Sequence, residues 1–182
     1  MNPGSTDDVI LFSEVQYFRM KGIWVLLGTI AVIAWYTFIF QVVLGEPLGT
    51  NPVPDIVLFV LLVIFGILFP LWFFVMRLEV SVGRETLSFR FYPMQIRWRS
   101  IHADRISGAE TVTYRPLRDY GGWGIRYGRG GMAYNVSGDR GVDVRLVDGK
   151  AFMLGSQRPE ELEMAVRAMH RPRGRTAGTG IS

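Results

Sequence analysis

The sequence predicts an α+β membrane protein: a two-helix transmembrane hairpin followed by an antiparallel β domain that ends in one helix. Three observations predict it. Two long runs without charge lie before Arg77. From Leu78 on, apolar residues alternate with polar ones. One stretch near the C-terminus returns to helical spacing.

Residues 23–44 hold no charged side chain. As a helix they extend about 33 Å, against a hydrocarbon core of roughly 30 Å. Residues 56–76 form the second run, and 17 of these 21 are Leu, Ile, Val or Phe. Each such residue favours insertion by about 0.3–0.6 kcal/mol at mid-membrane, so this span inserts without help. The first run carries Thr29, Thr37 and Gln41 but still has 13 strongly apolar residues. A signal peptide does not fit, because Asp7, Asp8 and Glu14 fill its basic region and no cleavage site follows.

The loop at 45–55 contains Glu46 and Asp55 but no Lys or Arg, whereas Arg19, Lys21 and Arg77 flank the spans. The positive-inside rule then predicts a plasma-membrane protein with both termini in the cytoplasm. Trp24 and Trp72 fall at the same predicted interface. Gly28, Ala31, Ala34 and Gly66 are candidates for tight packing of the hairpin, and Pro70 predicts a kink. Residues 1–22 read as a cytoplasmic segment. Leu11, Val15 and Phe18 have helical spacing, which predicts a short interfacial helix over residues 9–20.

The soluble domain is expected over residues 77–170, followed by a disordered tail at 171–182. Leu78, Val80 and Val82 alternate with polar residues, as do Leu87, Phe89 and Phe91, then Ile96 and Trp98. Gly83-Arg84-Glu85 is the first tight turn. Residues 106–114 are a further strand. Val142, Val144 and Leu146 lead into Asp148-Gly149, a hairpin signal, and then Phe152 and Leu154. Pro159, Glu160 and Glu161 open the last helix, and Leu162, Ala165, Val166 and Met169 form its apolar stripe.

About seven short strands and a C-terminal helix form the pattern of a pleckstrin-homology-like barrel or sandwich. The chain resembles uncharacterised prokaryotic membrane proteins that join two transmembrane helices to a bacterial pleckstrin-homology-like domain. The resemblance is carried by Ser13-Glu14-Val15-Gln16, by residues 93–106, and by residues 141–161, which run into Gly155-Ser156-Gln157-Arg158-Pro159-Glu160-Glu161-Leu162. It implies a fold and a location and brings no catalytic residues.

Composition removes several chemistries. Cysteine is absent, so disulfides, thiolate nucleophiles and Cys-based zinc sites are excluded. The two histidines, His102 and His170, have no neighbouring cluster in sequence that completes a metal site. No Walker loop, G-x-S-x-G elbow or charge inside a span occurs. No catalytic residue, metal or cofactor is therefore expected. Asn135-Val136-Ser137 matches a glycosylation acceptor and is discounted on the predicted cytoplasmic side.

The unusual stretch is 114–135, with four arginines and five large aromatics among many glycines. It reads as a strand pair with aromatics packed on the barrel, or as a partner surface, since Arg, Tyr and Trp dominate hot spots. A nucleic-acid reading is set aside because of the membrane anchor. The candidate surface is Arg115, Arg118, Trp123, Arg126, Tyr127 and Arg129. Residues 77–182 hold 18 Lys and Arg against 11 Asp and Glu. Arg77, Arg84, Arg90, Arg97 and Arg99 are the candidates to face anionic lipid, without headgroup specificity.

The expected function is a non-enzymatic membrane protein whose cytoplasmic domain mediates protein–protein or assembly contacts. Its expected partners are the bilayer and a protein, a further copy of the chain among the candidates, and not nucleic acid. Two alternatives stay open: a membrane-surface enzyme or accessory subunit, and an anionic-lipid sensor.

Overall fold

A computed structural model describes residues 9–128 and 131–169. The N-terminal residues 1–8, the tail at 171–182, Arg129 and His170 lie outside them. The chain groups into two units: Tyr17–Met76, and the residues up to Gln16 together with those from Arg77 on.

The first unit is the hairpin. Its helices, Lys21–Val43 and Asp55–Val75, are long and apolar enough to cross a membrane. Their polar side chains are satisfied locally. Thr29 Oγ1 donates to Val25 O at 2.9 Å and Thr37 Oγ1 to Ile33 O at 3.0 Å. Gln41 Nε2 donates to Val53 O at 2.6 Å and to Asp55 Oδ1 at 2.9 Å, which ties the loop to the helix ends. Gly66 faces the other helix: a Cβ there would lie 3.2 Å from Trp35 Nε1. Gly28 has nothing within 4 Å of such an atom, so only Gly66 of these two glycines sits at a close approach. Residues Leu62–Leu68 form a π-helical turn just before Pro70. That widened turn includes Gly66, whose carbonyl an interior proline ring would otherwise meet.

The second unit contains two sheets and a C-terminal helix. The first sheet has the order β1-β2-β3-β4, with β1 at Phe12–Tyr17, β2 at Arg77–Val82, β3 at Thr86–Tyr92 and β4 at Arg99–His102. The expected interfacial helix over 9–20 is therefore corrected. Phe12, Glu14 and Gln16 are buried in alternation with exposed Ser13, Val15 and Tyr17, which is the period of a strand. Leu11 N donates to Val82 O at 2.8 Å beside it. The expected strand at Ile96 and Trp98 is corrected too: β4 starts only at Arg99, and Ile96 is 70% exposed in the preceding loop.

The second sheet has the order β5-β8-β9-β7-β6. These strands are Ile106–Thr113, Gly124–Gly128, Gly131–Asn135, Arg140–Leu146 and Ala151–Gly155, numbered β5 to β9 in chain order. β7 pairs with β9 in parallel, where an antiparallel sheet was expected. Among the described residues there are nine strands in two open sheets, not a closed barrel. The sheets meet through aromatic rings. Phe89 lies 4.9 Å from Tyr134, edge to face, and 5.3 Å from Phe152, stacked. Leu78, Val80, Val82, Val142, Val144 and Leu154 complete a core that is essentially closed to solvent.

The last helix, Pro159–Ala168, buries Leu162, Ala165 and Val166 as its spacing predicts. It is fastened to β5: Thr111 N donates to Glu163 Oε2 at 2.7 Å, and Arg167 Nε and Nη2 both donate to Ala109 O.

Candidate functional site

Strand β5 leaves the second sheet at Thr113 and turns into a short helix, Pro116–Tyr120. Proline suits a first helical turn, where its missing N–H is not needed. Asp119 Oδ2 accepts the Arg115 N–H at 2.7 Å. Gly121 ends the helix with φ 70°, a left-handed value that glycine adopts freely. This helix lies against the β6–β7 hairpin. A Cβ on Gly128 would stand 2.7 Å from Asp119 O and as close to the Tyr120 ring, so the backbones cross here only because residue 128 is glycine.

Arg115, Arg118 and Arg126 are exposed in and around this crossing. Arg126 Nε donates to Trp123 O at 3.1 Å, and Trp123 Nε1 donates to Gly138 O at 3.1 Å. Trp123 is half-buried, whereas Tyr127 is 81% exposed on β6, the outermost strand of its sheet. Packing of Tyr127 into the core is thereby ruled out. Arg129 falls outside the described residues.

Beneath the short helix is a cleft of about 440 Å³. Val112, Met153, Tyr114 and Tyr120 line it, packed together in one hydrophobic cluster. Asp143 enters from β8, and Arg118 and Asp119 stand at the exposed rim. The two rings are nearly perpendicular, with centroids 5.8 Å apart. Burial pushes the Tyr114 phenol up to about 12. Tyr120 is also raised, by burial first and then by the charges of Asp143 and Asp119. The Tyr114 hydroxyl accepts from Asn135 Nδ2 at 3.1 Å, and Asn135 Oδ1 accepts the Gly124 N–H at 2.9 Å. Asn135 is fully buried, so its acceptor motif is closed to modification.

Arg77, Arg90 and Arg99, three of the five arginines expected to face lipid, have partners within the soluble unit. Glu79 sits between Arg77 Nε at 2.5 Å and Arg90 Nε at 2.7 Å. Burial pushes its carboxyl up, but hydrogen bonds and charge from Arg90 and Arg77 outweigh that and hold it below the usual glutamate value. Arg90 also lies over the Trp98 ring at 4.7 Å. Arg99 Nη1 donates to Tyr134 OH at 2.9 Å. Arg84 and Arg97 are exposed in turns. No group of three His, Asp or Glu that would hold a metal ion occurs among the described residues.

A second polar cluster joins the N-terminal strand to the start of the last helix. Glu14, 7% exposed, accepts from Ser156 Oγ at 2.6 Å and from Gln157 N at 3.0 Å. Gln16 Nε2 donates to Gly155 O at 2.7 Å, and Arg158 Nη2 donates to Ser13 O at 2.8 Å.

A protein-family model covers residues 4–170 of this sequence. The chain belongs to the family of unknown function DUF6141. No curated protein and no solved structure matches it.

In this DUF6141 chain, two of the motifs quoted from the sequence, Ser13–Gln16 and Gly155–Leu162, hydrogen-bond to each other. Their role is thus architectural. Sequence reasoning did not single out Asp143 or the Tyr114–Tyr120 pair. Asp143 reads only as the polar partner of Val142 and Val144 in an alternating strand, and nothing local in sequence points from it to Tyr120.

Proposed function

We propose that this protein is a membrane-anchored, non-enzymatic docking module. In this reading both apolar helices cross the plasma membrane, and both termini face the cytoplasm. Support comes from Arg19, Lys21 and Arg77 flanking spans whose connecting loop has no Lys or Arg. The soluble unit is read as a divergent pleckstrin-homology-like domain, on the strength of a four-stranded sheet facing a second sheet and a C-terminal helix.

The observation that carries the docking role is the outer strand β6. It presents Tyr127 and Arg126 to solvent, beside the exposed Arg118. An edge strand offers backbone hydrogen bonds to a partner, and Arg and Tyr supply contact area. Charge selects an acidic protein segment. A headgroup-specific lipid role has less support, because Glu79 already occupies Arg77 and Arg90.

The test is co-purification from native membranes with the full chain. Arg118→Ala with Arg126→Ala and Tyr127→Ala should remove the bound partner and leave the melting temperature nearly unchanged. A partner set identical to that of the parent chain would overturn the assignment.

A further inference from the structure

We propose that the cleft under the short helix Pro116–Tyr120 is a binding site for a small organic ammonium ion. Its volume, about 440 Å³, is in the range of small-molecule sites. Its lining combines the two kinds of surface that such an ion needs. Val112 and Met153 supply an apolar surface for a hydrocarbon body. Asp143 and the two tyrosines of the same lining supply the groups for the charged nitrogen.

Asp143 has capacity left for a cation. Among the described residues its one ion pair is with Arg145 Nε at 3.5 Å, and Arg145 Nη2 is held more closely by Glu110, at 2.6 Å. At the rim, Asp119 uses Oδ2 on the Arg115 N–H. The charged lining residues are two aspartates and one arginine, so the cleft is net negative in a chain that is net positive. An ammonium gains from the carboxylate and from the electron-rich faces of Tyr114 and Tyr120 together. Asp143 and Asp119 both act on the Tyr120 phenol to disfavour negative charge there, and the same two charges favour a cation beside it. An anion of the same shape meets Asp143 and Asp119 as repulsion.

Phenethylammonium is a suitable probe, with 2-phenylethanol as the neutral control and phenylacetate as the anionic one. Calorimetry on the full chain in detergent should give a dissociation constant on the order of 1 mM or tighter for the amine. Phenylethanol should bind about tenfold more weakly, the loss of roughly 1.4 kcal/mol that a single charge contact supplies. Phenylacetate should not bind. Asp143→Asn should weaken the amine about tenfold, and Glu85→Gln, in the exposed β2–β3 turn of the other sheet, should leave it unchanged. If Asp143→Asn unfolds the chain, Asp119→Asn replaces it and should weaken the amine severalfold while the melting temperature holds. No amine binding at about 10 mM, equal binding of the three probes, or parental affinity in a folded aspartate variant would each sink the proposal.

Discussion

Ser156 Oγ donates a 2.6 Å hydrogen bond to Oε2 of Glu14, a residue 142 positions earlier and on the other side of both apolar helices in sequence. A strand that precedes the hairpin is thereby locked to the loop before the last helix. Gln157 N and Gln16 Nε2 complete the contacts around the same carboxylate. Hydrogen bonds to a buried charged group are worth about 1.5–3 kcal/mol each.

Glu14→Ala and Ser156→Ala should therefore each destabilise the soluble unit by about 1–3 kcal/mol. Because the two groups share one bond, their effects should not add; a double-mutant cycle should give a coupling of at least about 0.5 kcal/mol. Denaturant unfolding of the full chain in detergent measures it. Simple additivity would show that the bond carries no energy of its own.

Glu79 predicts a pH dependence with a definite sign. Its folded pKa is depressed below the ordinary 4.5 because Arg90 and Arg77 outweigh the effect of burial. The ionised form is thus favoured by folding. The stability this gives is present above pH 4.5 and is lost as pH falls through the lower folded value. Glu79→Gln should cost about 1–3 kcal/mol at neutral pH and less toward pH 3. Melting curves of the two proteins should converge on acidification; a constant gap between them would contradict the ion-pair account.

Glycines with similar sequence settings should behave differently. Gly128→Ala would put a methyl against Asp119 O and the Tyr120 ring, and overpacking of this kind costs about 1–3 kcal/mol. Gly66→Ala would press on Leu62 and on the Trp35 indole of the other helix. Gly28→Ala meets open space and should leave stability unchanged or slightly higher. Thermal unfolding of the three variants ranks them, and a neutral Gly128→Ala would mean the helix does not rest on β6.

Those parts of the fold set by short-range pattern were legible in the sequence. The apolar helices were read to within two residues of their ends, because transfer into hydrocarbon acts on each residue independently of partners. Strands β2, β3, β8 and β9 and the last helix were legible for the same kind of reason: each has one apolar face. Strand β1 was not. Glu14 and Gln16 lie on its buried face, so the remaining apolar residues read as a helix, and the partners that satisfy them lie some 140 positions away. Ile96 and Trp98 mislead in the opposite way, since an alternating pair sits in a loop where Trp98 rests under Arg90. The parallel β7–β9 pairing has no local signature at all. At the candidate site, Arg115, Arg118, Arg126 and Tyr127 are exposed, and Arg129 lies outside the described residues. Nothing local in the sequence shows that the close neighbour of Gly128 is the chain's own Tyr120.

Orientation in the membrane remains the premise on which the docking role rests, and the Cys-free sequence makes it directly testable. Two helices of 23 and 21 residues connect β1 to β2, which are neighbours in one sheet. If both helices cross, the strands on either side of the hairpin return to the same compartment. The charge rule predicts the cytoplasm for that compartment, since Arg19, Lys21 and Arg77 lie next to the strands and the only charged residues of the connecting loop are acidic. Thr50→Cys places a thiol in the loop, and Met164→Cys places one on the exposed face of the last helix. A membrane-impermeant thiol reagent applied to intact cells should label the first and not the second. Permeabilisation should then expose the second to labelling. Labelling of Met164→Cys without permeabilisation, with Thr50→Cys protected, would invert the topology and put the β6 surface outside the cell. Labelling of both in intact cells would show that the hairpin does not cross at all.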